Sequence, residues 1–188
     1  DDDIASITKA ILFGRTIFKS IRKFIIFQLT VNLCAMLMAI IGPLINISTP
    51  VTIIQMLWIN MIMDTLAGIA FSYEPALVEY MNEPPKKDTE PIINAYMYGE
   101  IIFTGLYSFL IGIFFLKSSI TSIIIRSSND NRYLLTAYFA LFIFTGIFNA
   151  LNARTERINI LANIQNNLPF IFIFSIILLI QIYLIYFG

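Results

Sequence analysis

Asn60 and Asp64 stand four residues apart in the stretch LWINMIMDTLAG (57–68), within a run, 51–71, that holds no other charged residue. Residues at i and i+4 share one face of a helix. A carboxylate placed in the middle of an apolar span costs about 2.5–3.5 kcal/mol on insertion scales, so Asp64 calls for a partner, and a hard cation with oxygen ligands is the natural one. Calcium takes about 6–8 oxygens. Asp64 can supply two, Asn60 one, and Asn32 in the preceding apolar run one more, which leaves the shell at least about two oxygens short. Water, backbone carbonyls or a further segment must complete it. Gln28 and Thr30 accompany Asn32, and Thr145, Asn149 and Asn152 occur in a later apolar run. Those amides read as interhelical hydrogen-bonding groups, worth about 0.6 kcal/mol each. Gly68 continues the face of Asn60 and Asp64 and permits a close backbone approach.

Other chemistries are poorly served. There is no His, which removes the commonest metal ligand and general base. The single Cys34 cannot form an internal disulfide, so thiol and zinc chemistry are disfavoured. Twelve basic and twelve acidic residues balance, and no basic surface calls for nucleic acid.

The elements that would position these residues are membrane spans. The 188-residue chain is 58% hydrophobic, with 17 Phe and a mean hydropathy of +0.80, above the roughly 45–50% apolar content of soluble domains. A span needs about 20 mainly apolar residues, and five candidates follow: 24–45, 51–71, 97–116, 134–153 and 168–186. The expected fold class is all-α, a polytopic transmembrane helix bundle whose partner is the lipid bilayer. The link around 46–50 is short enough to make the first two spans an antiparallel hairpin. Lys9, Arg15, Lys19, Arg22 and Lys23 precede the first span. Lys86 and Lys87 lie between the second and third, and Arg154 and Arg157 between the fourth and fifth. Only Lys117, Arg126 and Arg132 flank the other side. That bias places the N-terminus in the cytoplasm.

Residues 1–23 form a basic amphipathic stretch in which Ile4, Ile7, Ala10 and Ile11 follow helical spacing. It reads either as a solvated juxtamembrane helix or as a stalk that transmits motion from a cytoplasmic domain. The start, DDDIASITKA, has neither an initiator Met nor a signal-peptide pattern, and the chain reads as cut from something longer. Asn46-Ile47-Ser48 fits the N-glycosylation pattern, but its closeness to the membrane argues against modification.

LWINMIMDTLAG closely resembles the sixth membrane helix of P-type calcium ATPases, especially the plasma-membrane type. FQLTVNLCA in the first span is similar to that family's fifth helix. DDDIASITKAILFGRTIFKSIRKF resembles the end of its phosphorylation domain and the stalk. FSYEPALVEYMNEPPKKDTEPII resembles the loop after the sixth helix, and FNALNAR the end of the eighth. The resemblance implies that 1–23 is stalk and that 24–188 is the C-terminal membrane domain, helices five to nine. It implies Ca2+ as the transported ion. ATP and Mg2+ would be bound only by parts outside this chain, which carries none of the family's DKTGT, TGE, GDGxND or PEGL motifs. Helices one to four and the cytoplasmic domains would be the partners, and the fourth helix would supply the missing oxygens. Reticulum-type pumps with two calcium sites carry oxygen ligands at positions matching Ala35, Met63 and Gly146, so the first site is lost here. Asn60 and Asp64 match ligands of the second. This is the pattern of a one-calcium pump, in which Asn32 is a further metal or pathway candidate. Two other readings stand beside it: a stand-alone module or split-pump half that pairs with a partner chain, and a related pump for another cation such as Mn2+.

Overall fold

The computed structural model describes residues 3–47, 50–85, 90–119, 121, 132–155, 157 and 159–187. Lys86, Lys87 and Arg126 of the charge count, and Ser48 of the glycosylation pattern, lie outside these residues. The described residues contain no strand and five long helices: α1 (Ile4–Leu44), α2 (Ile53–Ser72), α3 (Ala95–Lys117), α4 (Arg132–Arg154) and α5 (Leu168–Phe187). Each is long and apolar enough to cross a membrane. The chain is a polytopic membrane bundle, with helix ends within a few residues of those read from hydropathy, save that α1 runs unbroken from the basic stretch into the first span.

Local sequence explains the ends. Asp3 caps α1 by accepting from the Ala5 N–H at 3.2 Å. The helix ends where Asn46 takes a left-handed conformation, φ 61°. Ile47 N–H then bonds the Gly42 carbonyl at 2.9 Å and Asn46 N–H the Pro43 carbonyl at 3.2 Å, the Schellman pattern with Asn in the position usually held by Gly. Thr52 opens α2 with a capping box, its hydroxyl accepting from Gln55 N–H while its own N–H bonds Gln55 Oε1 at 2.8 Å. Asn94 caps α3, and the buried Asn167 caps α5 by accepting from Phe170 N–H.

The long α1 is central and packs against α2, α3 and α4, while α5 covers α2 and α4. Its buried stripe of Phe27, Val31, Cys34 and Met38 recurs at helical spacing. On α3 the facing residues are Met97, Ile101, Gly105, Phe109 and Gly112. The glycines let the helices close up: a β-carbon at Gly105 would lie 2.8 Å from Leu33 Cδ2, and one at Gly112 2.8 Å from Met38 Cε. Small residues at crossings are the usual means of helix association in lipid. At one end of the bundle five rings, Phe24, Phe27, Phe71, Phe170 and Phe174, form a connected cluster with centroids 4.5–6.4 Å apart. It joins α1, α2 and α5.

The basic stretch is neither wholly solvated nor free. Arg15, Lys19, Arg22 and Lys23 fall on one face of α1 and strap the α2–α3 connection along it. Arg15 donates to the carbonyls of Tyr80 and Glu83 at 2.6 and 2.7 Å. Lys19 pairs with Glu83 and lies over the Tyr80 ring. Arg22 donates to the Ile92 carbonyl at 2.6 Å, and Lys23 pairs with Glu74.

Candidate functional site

Asp64 is the twelfth residue of α2 and is 6% exposed. It closes a local break in its own helix. Residues Ile59–Met63 form a π turn, in which the Asp64 N–H reaches back five residues to the Ile59 carbonyl. Such wide single turns interrupt the i→i−4 ladder and are frequent at functional sites. Across the helix pair, Gln28 Nε2 on α1 donates to Asp64 Oδ2 at 3.3 Å. Asp64 Oδ1 is buried and has no hydrogen-bond partner among the described residues. One carboxylate oxygen is therefore oriented by an amide and the other is available to a ligand.

Asn60 lies inside the π turn and is exposed, as are Met61 and Leu57 beside it. Asn32 is half-buried on α1, one turn beyond Gln28. Of the polar residues in the first span, Gln28 is the one that meets Asp64. Among the described residues no three Asp, Glu, Cys or His side chains converge.

Behind Asp64 the first side chain met is apolar. Met63 is fully buried, and a β-carbon at Gly146 on α4 would come within 2.7 Å of its terminal methyl. The thioether thus fills the space between α2 and α4. Past it lies a cavity of about 20 Å³ lined by Thr30, Cys34, Tyr138, Thr145, Gly146 and Asn149 among others, with no carboxylate. Thr30 Oγ1, Tyr138 OH and Asn149 Nδ2 are buried without a hydrogen-bond partner among the described residues. Asn149 is buried in the bundle, whereas Asn152 is exposed.

Two further polar side chains are buried at one end of the bundle. Glu74, just past α2, and Arg154, the last residue of α4, pair at 3.6 Å with side chains 6% and 1% exposed. Arg154 also donates to the carbonyls of Ile160 and Ala162 and lies over the Phe170 ring. The acidic run of the α2–α3 connection, facing a basic stripe on α1, was the available signal for this end of the bundle.

Comparison with known proteins accords with this architecture. Over its full length the chain is 32% identical to calcium-transporting ATPase 10, plasma membrane-type, of Arabidopsis thaliana, 34% to calcium-transporting ATPase 2 of Schizosaccharomyces pombe, and 35% to plasma membrane calcium-transporting ATPase 1 of Gallus gallus. The chain spans 15–18% of the length of these curated relatives. Residues 48–188, from just ahead of α2 to the end of the chain, match the family model described as cation transporting ATPase, C-terminus. With α2 carrying Asp64 and α4 carrying Gly146 both inside that match, the chain belongs to the family of cation-transporting ATPase C-terminal membrane regions.

Proposed function

We propose that this chain is the membrane part of an ATP-driven calcium export pump and contributes to a single Ca2+ site within the bilayer. The observation that carries the reading is Asp64: a buried carboxylate at a π turn, one oxygen held by Gln28 and the other without a partner. Asp64 gives the charge and Asn60 a carbonyl oxygen from the widened turn. The exposure of Asn60 fits a site completed by helices outside this chain, which would cover that face of α2. Asn32 lies near the pathway and contributes less. Met63 and Gly146, packed together where a second cation would need oxygens, favour one ion over two.

In this reading the end bearing Lys23, Glu74 and Arg154 faces the cytoplasm. The flanks of α1, α2, α4 and α5 meet there, and they carry nine of the twelve basic residues. ATP and Mg2+ act on parts outside this chain, and the lipid bilayer surrounds α1–α5, a plasma membrane being favoured over the internal store membrane that stands as the alternative. Phosphorylation of those outside parts moves the α1 stalk, and the altered packing of α1 on α2 separates the ligands and releases the ion. ATP energy thereby shifts the population between two states.

The test is the Asp64→Asn variant of the intact pump. It should lose calcium-dependent phosphoenzyme formation and vesicle uptake of Ca2+. Retained calcium affinity would remove Asp64 from the site, and a wild-type pump that forms phosphoenzyme with Mn2+ but not Ca2+ would change the ion.

A further inference from the structure

Glu74 has two carboxylate oxygens in unlike surroundings. Oε1 accepts from Asn167 Nδ2 at 2.8 Å and faces Arg154 Nη1 at 3.6 Å. Both of those partners are fixed. Asn167 is fully buried and holds the N-terminus of α5 through its own side chain. Arg154 is bonded to two backbone carbonyls and covered by Phe170. Oε2 instead meets Lys23 Nζ at 3.2 Å, a single ammonium on a flexible stem with its side chain 13% exposed. Glu74 is thus mounted on α4 and α5 and gripped from α1 by one separable contact.

The neighbouring contacts give that grip a direction. Phe24, next to Lys23, lies over Gly68, where an added β-carbon would sit 3.6 Å from its ring, and it is tilted against Phe71 with ring centroids 6.3 Å apart. Gln28, one turn farther along α1, reaches Asp64. From Glu74 inward to Asp64, α2 is therefore held by successive turns of α1. The other basic residues of the stripe, Arg15, Lys19 and Arg22, reach the α2–α3 connection from Tyr80 onward. Lys23 reaches the carboxylate that Arg154 and Asn167 anchor.

We infer that Lys23 and Glu74 are positioning residues that transmit displacement of the α1 stalk to the helix bearing Asp64, with Arg154 and Asn167 as the fixed mount. The inference rests on the pump reading above and adds the contact through which the stalk acts on the site. Loss of Lys23 leaves Glu74 compensated by Arg154, so the fold survives. Loss of Glu74 would strand a buried guanidinium, a strongly destabilising change. Lys23 is therefore the informative position.

The experiment compares the intact pump with its Lys23→Gln and Lys23→Arg variants in sealed vesicles, measuring calcium-dependent phosphoenzyme, ATP hydrolysis and Ca2+ uptake. Lys23→Gln should keep phosphoenzyme near the wild-type level while Ca2+ moved per ATP hydrolysed falls about fivefold, the lower end of ordinary site-to-site coupling. Lys23→Arg should restore the ratio. An unchanged ratio in Lys23→Gln overturns the inference, as does parallel loss of phosphoenzyme and uptake, the mark of a merely structural role. If the wild-type protein itself forms no calcium-dependent phosphoenzyme, the pump reading fails and the inference with it; a failure confined to the variants leaves that reading standing.

Discussion

Gln28 reaches across from α1 to α2 and donates its amide to Asp64 at 3.3 Å, so the carboxylate is oriented by a neighbouring helix and not by its own. An amide in this position acts on a metal through the ligand it holds. Truncating such outer partners typically weakens metal binding 10–100-fold. Gln28→Leu should therefore raise the calcium concentration for half-maximal phosphoenzyme about tenfold. Gln28→Asn, one carbon shorter, should do nearly the same, because the amide no longer reaches. Calcium titration of the two variants beside wild type checks this.

Asn60 and Asn32 should separate in the same titration. Asn60→Ala removes an oxygen from the π turn next to Asp64 and should cost about tenfold or more in calcium affinity, on the scale of one charge-assisted contact. Asn32→Ala, on a half-buried position one turn beyond Gln28, should cost about threefold or less. Equal effects would move the site toward α1.

The glycine crossings should differ in tolerance. A β-carbon at Gly105 meets Leu33 at Cδ2, Cγ and Cβ, at 2.8, 3.2 and 3.4 Å, close to the stem of a branched side chain. At Gly146 the close neighbour is the terminal methyl of Met63, which can turn away. Gly105→Ala should cost about 1–3 kcal/mol, in the range of overpacked cores, and Gly146→Ala less. Thermal unfolding midpoints of the detergent-solubilised protein give the comparison.

Arg154 should resist replacement. Its Nη2 serves two backbone carbonyls, its Nη1 faces Glu74, and its plane lies over Phe170. Arg154→Met leaves Glu74 with Lys23 and the Asn167 amide, strips the Ile160 and Ala162 carbonyls of their donor, and should destabilise by about 3–5 kcal/mol. Arg154→Lys should recover little, since a single ammonium cannot reproduce the planar fork. Yield of folded protein and the unfolding midpoint read both outcomes.

The spans were legible because burial in lipid writes itself into long apolar runs, and the ends of α2 to α5 differ by only a few residues from 51–71, 97–116, 134–153 and 168–186. Asp64 was legible for the complementary reason, that a charge in such a run is expensive. The π turn was not, because INMIM carries no Pro or Gly to announce a change of helical period. Nor was the choice of Gln28 over Asn32 as the partner of Asp64, which depends on how α1 is rotated against α2. Glu74 and Arg154 stand 80 residues apart in sequence, each at the polar end of an apolar run. Only the folded packing of α2, α4 and α5 shows that they are buried together.

The short link between α1 and α2 bears on how the protein is made. Of the five helices α2 is the least apolar, and it carries both Asn60 and Asp64. Entering the bilayer alone, it would expose Asp64 to hydrocarbon. Its predecessor α1 is already present when α2 emerges, joined to it through residues 45–52, and brings Gln28 to the level of the carboxylate. The two helices are thus suited to leave the translocon as one unit, with the amide shielding the acid from the first moments in the membrane. The contact that orients Asp64 in the finished bundle is also the one that would let its helix be inserted at all.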